Sequence, residues 1–501
     1  MTATDTNPRT GSVPTPDIAR ALPQIDPAGM RVVWLLLIAG FVAILNETTM
    51  SIAIPHLNVD LGVPPELGQW LTSAFMLTMA VVIPTTGFLL QRLTTRQAFL
   101  LAMSLFTAGT AIAMVAPGFE VLLIGRIVQA AGTAITMPLL MTTVMSVVPA
   151  HARGRIMGRV GIVISLAPAI GPTLAGVLLQ VANWRWIFGV VLPIAVIALI
   201  IGAKLMTNLG ETNKAPLDVL SVILSAFAFG GLVYGLSQIG GSHGSDSPAM
   251  PEGAAGVMIA AAVVLLGLFV WRQIALQKKD DALLDLRVFR ARNFTLSIVV
   301  MGILSLAMFG TFTALPLYMQ DVLRLDSVTA GLVVLPGAVA MGLLGPIIGR
   351  IYDAKGVAIL LIPGTALVAL VMGFYATLTE STPVWALVVA QITMSVGMAM
   401  SFTPLFSASL GALAPKLYSH GSAVLNTLQQ VAGAAGVAVL ITTMASVSAS
   451  REAAGVAELA AGAAGARAAF LFSAIVAALA VVAAVFVRKP EDSPEGFHGG
   501  H

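Results

Sequence analysis

Fourteen long apolar runs alternate with short polar connections along this chain, near residues 32–54, 70–90, 97–116, 120–147, 157–181, 186–206, 217–239, 255–275, 294–319, 328–350, 358–377, 383–409, 422–446 and 467–487. Each approaches the roughly 18–25 residues that carry a helix across a hydrocarbon core about 30 Å thick. The pattern predicts an all-α integral membrane protein. Pro and Gly interrupt several runs, which membrane helices tolerate when neighbours satisfy the freed backbone groups. The first run is too long for a signal-peptide core, and no small-residue cleavage site follows it, so it is expected to remain as the first helix.

Composition agrees with the pattern. The chain has 501 residues, is 57% hydrophobic and 10% charged, and has a mean hydropathy of +0.94. No water-soluble domain has this balance. The net charge is only +3 and the basic residues lie in short loops, so the pI of about 9.3 reflects topology and not nucleic-acid binding. There is no cysteine, which excludes disulfides, thiolate catalysis and Cys-ligated metals.

The basic residues also orient the chain. With the N-terminus in the cytoplasm, 21 of the 26 Lys and Arg fall on the cytoplasmic side. Arg185, Arg324, Arg451 and Arg467 fall outside, and the stretch 240–253 carries no Lys or Arg. An odd number of spans would separate the termini and spoil this segregation. Fourteen spans fit best, and twelve or thirteen remain open if a weak run is misread.

Charge breaks the apolar pattern twice. Of 23 Asp and Glu, only Glu47 lies deep inside a run, and of 26 Lys and Arg only Arg126 does. A charge at mid-membrane costs roughly 2.5–3.5 kcal/mol on insertion scales, which makes each a candidate for function. Glu47 stands eight residues before Pro55, and Arg126 six after Glu120. At 1.5 Å per residue the two lie at roughly 12 Å and 9 Å from the same membrane surface, so an ion pair, direct or through Gln129 or water, is geometrically allowed. All six His are placed in loops or tails, so no membrane-depth metal or catalytic cluster is expected. No G-x-x-x-x-G-K-[ST] sequence is present for ATP.

Two inner loops resemble each other. Gly87-Phe88-Leu89-Leu90-Gln91-Arg92-Leu93-Thr94-Thr95-Arg96 follows the second run, and Gly349-Arg350-Ile351-Tyr352-Asp353-Ala354-Lys355-Gly356 follows the tenth. Each has a small residue at a helix end, a polar side chain four residues on, then cations. The eight-run spacing fits two six-helix halves with two helices inserted between them. The divisions are then a disordered tail at 1–31, a six-helix bundle at 32–206, two inserted helices at 217–275, a cytoplasmic amphipathic loop at 276–293, a second bundle at 294–487 and a cytoplasmic tail at 488–501. The loop at 276–293, with Leu283 to Arg290 mixing apolar and basic residues, reads equally as a joint between halves lying at the membrane interface or as a solvated connector.

Motifs in the right order now identify a resemblance. The loop at Gly87–Arg96 resembles G-x-L-x-D-R-x-G-R-R, with Gln91 and Thr94 replacing the Asp and second Gly. Arg126-Ile127-Val128-Gln129-Ala130-Ala131-Gly132 resembles R-x-x-Q-G/A-x-G. Ala167-Pro168-Ala169-Ile170-Gly171-Pro172-Thr173-Leu174-Ala175-Gly176 resembles G-x-x-x-G-P-x-x-G-G, and Trp184-Arg185-Trp186-Ile187-Phe188 resembles W-R-W-I-F. Leu45-Asn46-Glu47-Thr48 resembles L-D-x-T with the acid moved one position, about 100° around the helix. Over roughly residues 30–490 the chain resembles the major facilitator superfamily, within it the fourteen-helix drug:proton antiporter group, and most of all the lincomycin-resistance-like multidrug exporters.

That resemblance implies a major facilitator fold, two six-helix bundles plus two inserted helices, in a bacterial plasma membrane with both termini cytoplasmic. It implies a monomeric secondary transporter, not an enzyme, with no cofactor or metal. It would export lipophilic or cationic drugs in exchange for protons; the alternative is a dedicated exporter of one endogenous metabolite. Glu47 would carry the proton, Arg126 would tune it, and Asn46 and Gln129 would be neighbours. Gly87, Gln91, Arg92, Arg96, Gly349, Arg350 and Asp353 would form the cytoplasmic gate, or simply enforce topology. Pro168, Gly171, Pro172 and Gly176 would mark an exporter, or a kinked packing helix. Asn426, Gln430, Phe309, Phe312 and Gln391 are cavity candidates; for the polar stripe at Asn426, Gln430 and Gly433, helix–helix packing is the other reading.

Overall fold

A backbone inside hydrocarbon has no water to bond, so long apolar segments satisfy their N–H and C=O groups internally as helices. The computed structural model describes residues 27–208, 218–241 and 253–488. Among these it contains 14 helices long and apolar enough to cross a membrane, and no strand. The first half comprises α1 (Pro27–Leu61), α2 (Pro65–Arg92), α3 (Thr95–Met114), α4 (Phe119–Val147), α5 (Arg153–Val181) and α6 (Arg185–Leu205). Next come α7 (Val219–Gly241) and α8 (Ala254–Leu276). The second half comprises α9 (Arg292–Leu317), α10 (Ser327–Lys355), α11 (Ala358–Tyr375), α12 (Val384–Gly411), α13 (Tyr418–Ala453) and α14 (Glu458–Ala484).

Several expected boundaries move. α1 starts at Pro27, inside the stretch read as tail, and runs on to Leu61, past Pro55. α13 starts at Tyr418, four residues before the apolar run, because Ser419, His420 and Ser422 are buried by neighbouring protein and not by lipid. Polar first turns therefore hide helix starts from an apolar-run search. The tail segments 1–26 and 489–501, the start of the seventh run at 217 and the Lys-free loop at 242–252 lie outside the described residues.

Local signals explain the tight turns. Thr94, which replaces the motif glycine, is the N-cap of α3: its hydroxyl accepts from Gln97 N at 3.2 Å, and Gln97 Oε1 accepts from Thr94 N at 3.0 Å. Arg96 then reaches back to the last turn of α6, donating Nη2 to Ala203 O at 2.7 Å. Asp326 caps α10 by accepting from Val328 N and Thr329 N, both at 3.1 Å, and the bonds from Thr329 hold its carboxyl below the ordinary range.

The packing pairs repeat. In the first half α1 packs on α4, α5 and α6, α2 on α4, α3 on α4, and α3 on α6. Eight helices on, α9 packs on α12, α13 and α14, α10 on α12, α11 on α12, and α11 on α14. The molecule is thus two six-helix bundles of like architecture. α7 and α8 pack on each other, and α7 also lies against α2 and α13, one helix from each bundle.

The bundles meet through α5–α10, α2–α13, α4–α13 and α5–α12. With fourteen spans the two termini share one end of the molecule, here the terminal end. There α5 and α10 cross backbone to backbone: a Cβ on Gly158 would lie 2.1 Å from Gly345 O, and one on Gly349 would lie 2.0 Å from Gly154 O. At the opposite, far end of the same helices, Gly176 and Gly331 have nothing within 4 Å. The α5–α10 crossing is therefore backbone to backbone at the terminal end and open around Gly176 and Gly331 at the far one.

The segment 276–293 is partly buried and partly exposed. Leu283, Leu284 and Val288 are buried in the main protein core, while Phe289 is 41% exposed.

Gly158→Val should overpack the α5–α10 crossing and destabilise the fold by about 1–3 kcal/mol. A thermal-unfolding scan in detergent reads this as a lowered midpoint. Gly176→Val, placed in open space on the same helix, should leave the midpoint unchanged.

Candidate functional site

Arg126 is fully buried about two turns into α4. Its Nη1 donates to Gln129 Oε1 at 2.7 Å and its Nε to Leu71 O at 3.5 Å, and its guanidinium stacks 4.2 Å from the centre of the Phe75 ring. Gln129 is held in turn: its Nε2 donates to Thr110 Oγ1 at 2.7 Å, and that hydroxyl donates to Phe106 O at 2.7 Å. Small residues make this reach possible. A Cβ on Gly109 would lie 2.6 Å from Gly125 O, and one on Gly132 would lie 2.4 Å from Ala102 O, so α3 and α4 touch along their backbones. The motif is a brace that fixes one guanidinium from behind.

Glu47 is half-buried on α1, which packs against α4. Among the described residues the ion pairs are Arg272–Asp218, Arg287–Asp280, Arg287–Asp285 and Arg324–Glu458, and no hydrogen bond or ion pair reaches the Glu47 carboxylate. Its attraction to Arg126 acts through space. The direct pair that helix depth allowed is therefore absent here, because the Arg126 fork is turned along α4 toward Gln129 and across to α2. Gln129 does not bridge the two charges either: its Oε1 is taken by Arg126 and its Nε2 by Thr110 of α3.

Asn46 is buried with neither side-chain amide atom bonded. Thr48 faces α5, where a Cβ on Gly171 would lie 2.2 Å from its hydroxyl. The Pro-Gly stretch of α5 thus gives α1 room to approach, one residue from the acid. Pro168 is half-buried there, Gly176 faces open space, and the Pro172 side chain lies outside the described residues.

The two similar loops do equivalent jobs with opposite hydrogen-bonding sense. Asp353 at the end of α10 caps the start of α5, accepting from Gly154 N at 2.7 Å and Arg155 N at 2.9 Å. A carboxylate is favoured there by the positive end of the helix dipole. Gln91 at the end of α2 instead donates its Nε2 to Lys416 O at 2.9 Å, just before α13. A carbonyl needs a donor, which an ionised Asp lacks, so glutamine suits this contact. Gly87 and Gly349 sit at the crossings, Arg92 lies 6.0 Å over the Phe88 ring, and Arg350 is exposed.

The cavity candidates divide. Asn426 is half-buried on α13 and donates to Ser422 O at 2.8 Å; Gln430, one turn on, lies 3.8 Å from Met79 Sδ of α2. Phe309 packs on Gly433 of the same stripe yet stays 36% exposed, and Phe312 is 47% exposed. Gln391 does not join them. It is buried inside the second bundle, accepting from Tyr375 Oη at 3.1 Å, because the glycine-lined α10–α12 contact covers its turn.

Sequence reasoning missed a polar cluster at the terminal end. His420 is not in a loop; it is a buried residue of the first turn of α13. Its Nδ1 accepts from Asp285 N at 3.3 Å. Burial pushes the Asp285 carboxyl up, but the hydrogen bonds of Arg287 outweigh it and hold the group below the ordinary carboxylate range. Beside them a cavity of about 690 Å³ opens between the ends of α2 and α4, the segment after α8 and the start of α13. The available signal was the polar run Tyr418-Ser419-His420-Gly421-Ser422, which reads as loop unless something buries it.

A model of the Major Facilitator Superfamily matches residues 36–437. The chain belongs to that superfamily. It is 40% identical over 464 residues to an uncharacterized MFS-type transporter, YcnB, of Bacillus subtilis, covering 93% of this chain and 96% of that one. It is 39% identical over 461 residues to the lincomycin resistance protein LmrB of Listeria monocytogenes, covering 90% and 95%. Among solved structures the fold is similar to the human organic anion transporter MFSD10, with a TM-score of 0.64 at 16% identity, covering 92% of this chain and all of that one. The proton:xylose symporter XylE gives 0.61 at 14%, covering 92% and 96%. The protein is a multi-pass membrane transporter and not an enzyme.

Within this transporter the brace predicts coupled energetics. Arg126→Met and Gln129→Leu should each destabilise the protein, and the double variant should cost less than their sum by about 1 kcal/mol. Thermal midpoints of the four proteins in detergent check this; additive losses would show that the two side chains do not act together.

Proposed function

We propose that this protein is a proton-coupled antiporter that exports lipophilic, including cationic, compounds by alternating access. In this reading it is a monomer in a bacterial plasma membrane, with the basic terminal end in the cytoplasm. The observation that carries the reading is an unpaired carboxylate, Glu47, beside a guanidinium pinned by Gln129 and Leu71 O. Arg126 keeps its charge at working pH, so Glu47 is the group that takes and gives the proton. A cationic substrate and a proton then compete for one acid, and exclusive occupancy is what converts a proton gradient into export.

The backbone-to-backbone crossing of α5 and α10 corresponds to the state closed to the cytoplasm, with proton uptake from the far side. In that state the unbonded amide of Asn46 carries a desolvation cost of about 1–3 kcal/mol, so a rearrangement that gives it a partner favours the other state.

The energy is sufficient. One proton entering down about 100 mV releases about 2.3 kcal/mol, and one pH unit adds about 1.4 kcal/mol. For a neutral substrate exchanged one for one this sustains a gradient on the order of several hundredfold. For a monocation the voltage contributions cancel and the pH term remains.

The names of the relatives at 39% and 37% identity, lincomycin resistance proteins, support drugs or antibiotics as the substrate class. A dedicated exporter of one endogenous metabolite would use the same machinery, and a compound panel separates the two. In everted vesicles the wild-type protein should transport several unrelated lipophilic compounds, and a protonophore should stop it. Glu47→Gln should reduce proton-driven transport to background while its thermal midpoint stays near wild type. Full transport by Glu47→Gln would remove Glu47 as the proton carrier.

A further inference from the structure

The inserted helices have no counterpart in either six-helix bundle, and their polar side chains form one continuous chain of bonds. Asp218, just before α7, clasps Arg272 of α8 with two bonds of 2.7 and 2.8 Å, and these hold its carboxyl down at about 2. Asp218 also takes a bond from Ser221. Gln273, buried on α8, donates to Ser221 Oγ at 2.7 Å and accepts from Leu284 N at 3.1 Å. One residue on, Asp285 N donates to His420 of α13. The Asp285 carboxylate folds Arg287 back onto the segment at 2.6–3.0 Å, and Arg287 also pairs with Asp280. His420 itself rests on α2, where a Cβ on Gly87 would lie 2.8 Å from its Nδ1.

One imidazole is therefore the place where the inserted pair, the first bundle and the second bundle meet. On one side of it lie buried Leu283 and Leu284; on the other the interface is open. There a cavity of about 690 Å³ is lined by Gln91, Arg153, Asp285, Arg287, Lys416 and His420. A few polar contacts remain across it: Gln91 to Lys416 O, and Arg153 Nη2 to Tyr418 Oη at 3.4 Å. Contacts across such an opening are few, so an individual hydrogen bond shifts the balance between two arrangements.

We propose that α7 and α8 act through the segment 277–291 as a latch, its catch being the Asp285–His420 hydrogen bond, which holds the terminal ends of the two bundles together. The pair is fixed to the segment at Gln273 and leans on both α2 and α13, so releasing the catch frees α13 to leave α2. This rests on the alternating-access reading above, but it concerns how the terminal end opens and not what ion drives it.

The test uses distance. The chain has no cysteine, so Arg155→Cys and Lys355→Cys, both exposed at the terminal ends of α5 and α10, give a clean spin-label pair across the two bundles. In the full-length protein the pair should show mainly one short distance. His420→Phe removes the acceptor, and Gln273→Leu removes the anchor. Each should raise the long-distance population about three- to tenfold, as loss of one buried hydrogen bond predicts. Distances unchanged from the parent in both variants would overturn the latch; if His420→Phe does not fold, Gln273→Leu decides alone. Distances that shift while Glu47→Gln still exports normally would keep the latch and remove the proton carrier, and the reverse pair of results would do the opposite.

Discussion

Two helices that touch backbone to backbone, α5 and α10, set the arrangement of everything else. Gly154, Gly158, Gly345 and Gly349 let the chains meet with no side chain between them, so dispersion contacts act over a long stretch at the shortest separation. In lipid the hydrophobic effect gives helices no reason to associate, and such close contact is a main source of attraction. Because the glycines are concentrated at one end, the α5–α10 crossing is backbone to backbone there and open around Gly176 and Gly331 at the other.

Inside the first bundle the same device works at a finer scale. Gly109, Gly125 and Gly132 draw α3 onto α4 until Thr110 reaches Gln129, and Gln129 takes hold of Arg126. A buried guanidinium with fixed bonds is a stationary charge. The carboxylate on α1 has no bond of its own. That division of labour comes from packing, since nothing in the two residue types alone says which of them is held.

The pseudo-repeat is a repeat of geometry more than of chemistry. Asp353 and Gln91 occupy equivalent turns and tie equivalent helices, yet one accepts from backbone N–H groups and the other donates to a backbone carbonyl. Each copy needs only the hydrogen-bonding sense that its partner presents. The inserted pair α7–α8 adds a third body at this end of the molecule and, through Gln273 and His420, is bonded there at residues that no motif marks.

Much was legible in advance. Fourteen apolar runs, their Lys/Arg asymmetry and the two similar loops eight runs apart give the helix number, the two-bundle architecture and the inserted pair, because periodicity and length depend only on local chemistry. The isolation of Glu47 and Arg126 was equally plain, since a charge in an apolar run is visible without coordinates. Tertiary structure decided the rest. It turned Arg126 toward Gln129 and left Glu47 unpaired, placed Gln391 behind Tyr375 instead of in a cavity, and buried His420 where a polar stretch reads as loop. Polar side chains in membrane helices take whichever partner comes within about 3 Å, and that partner is chosen by helix rotation and crossing, which no one-dimensional pattern encodes.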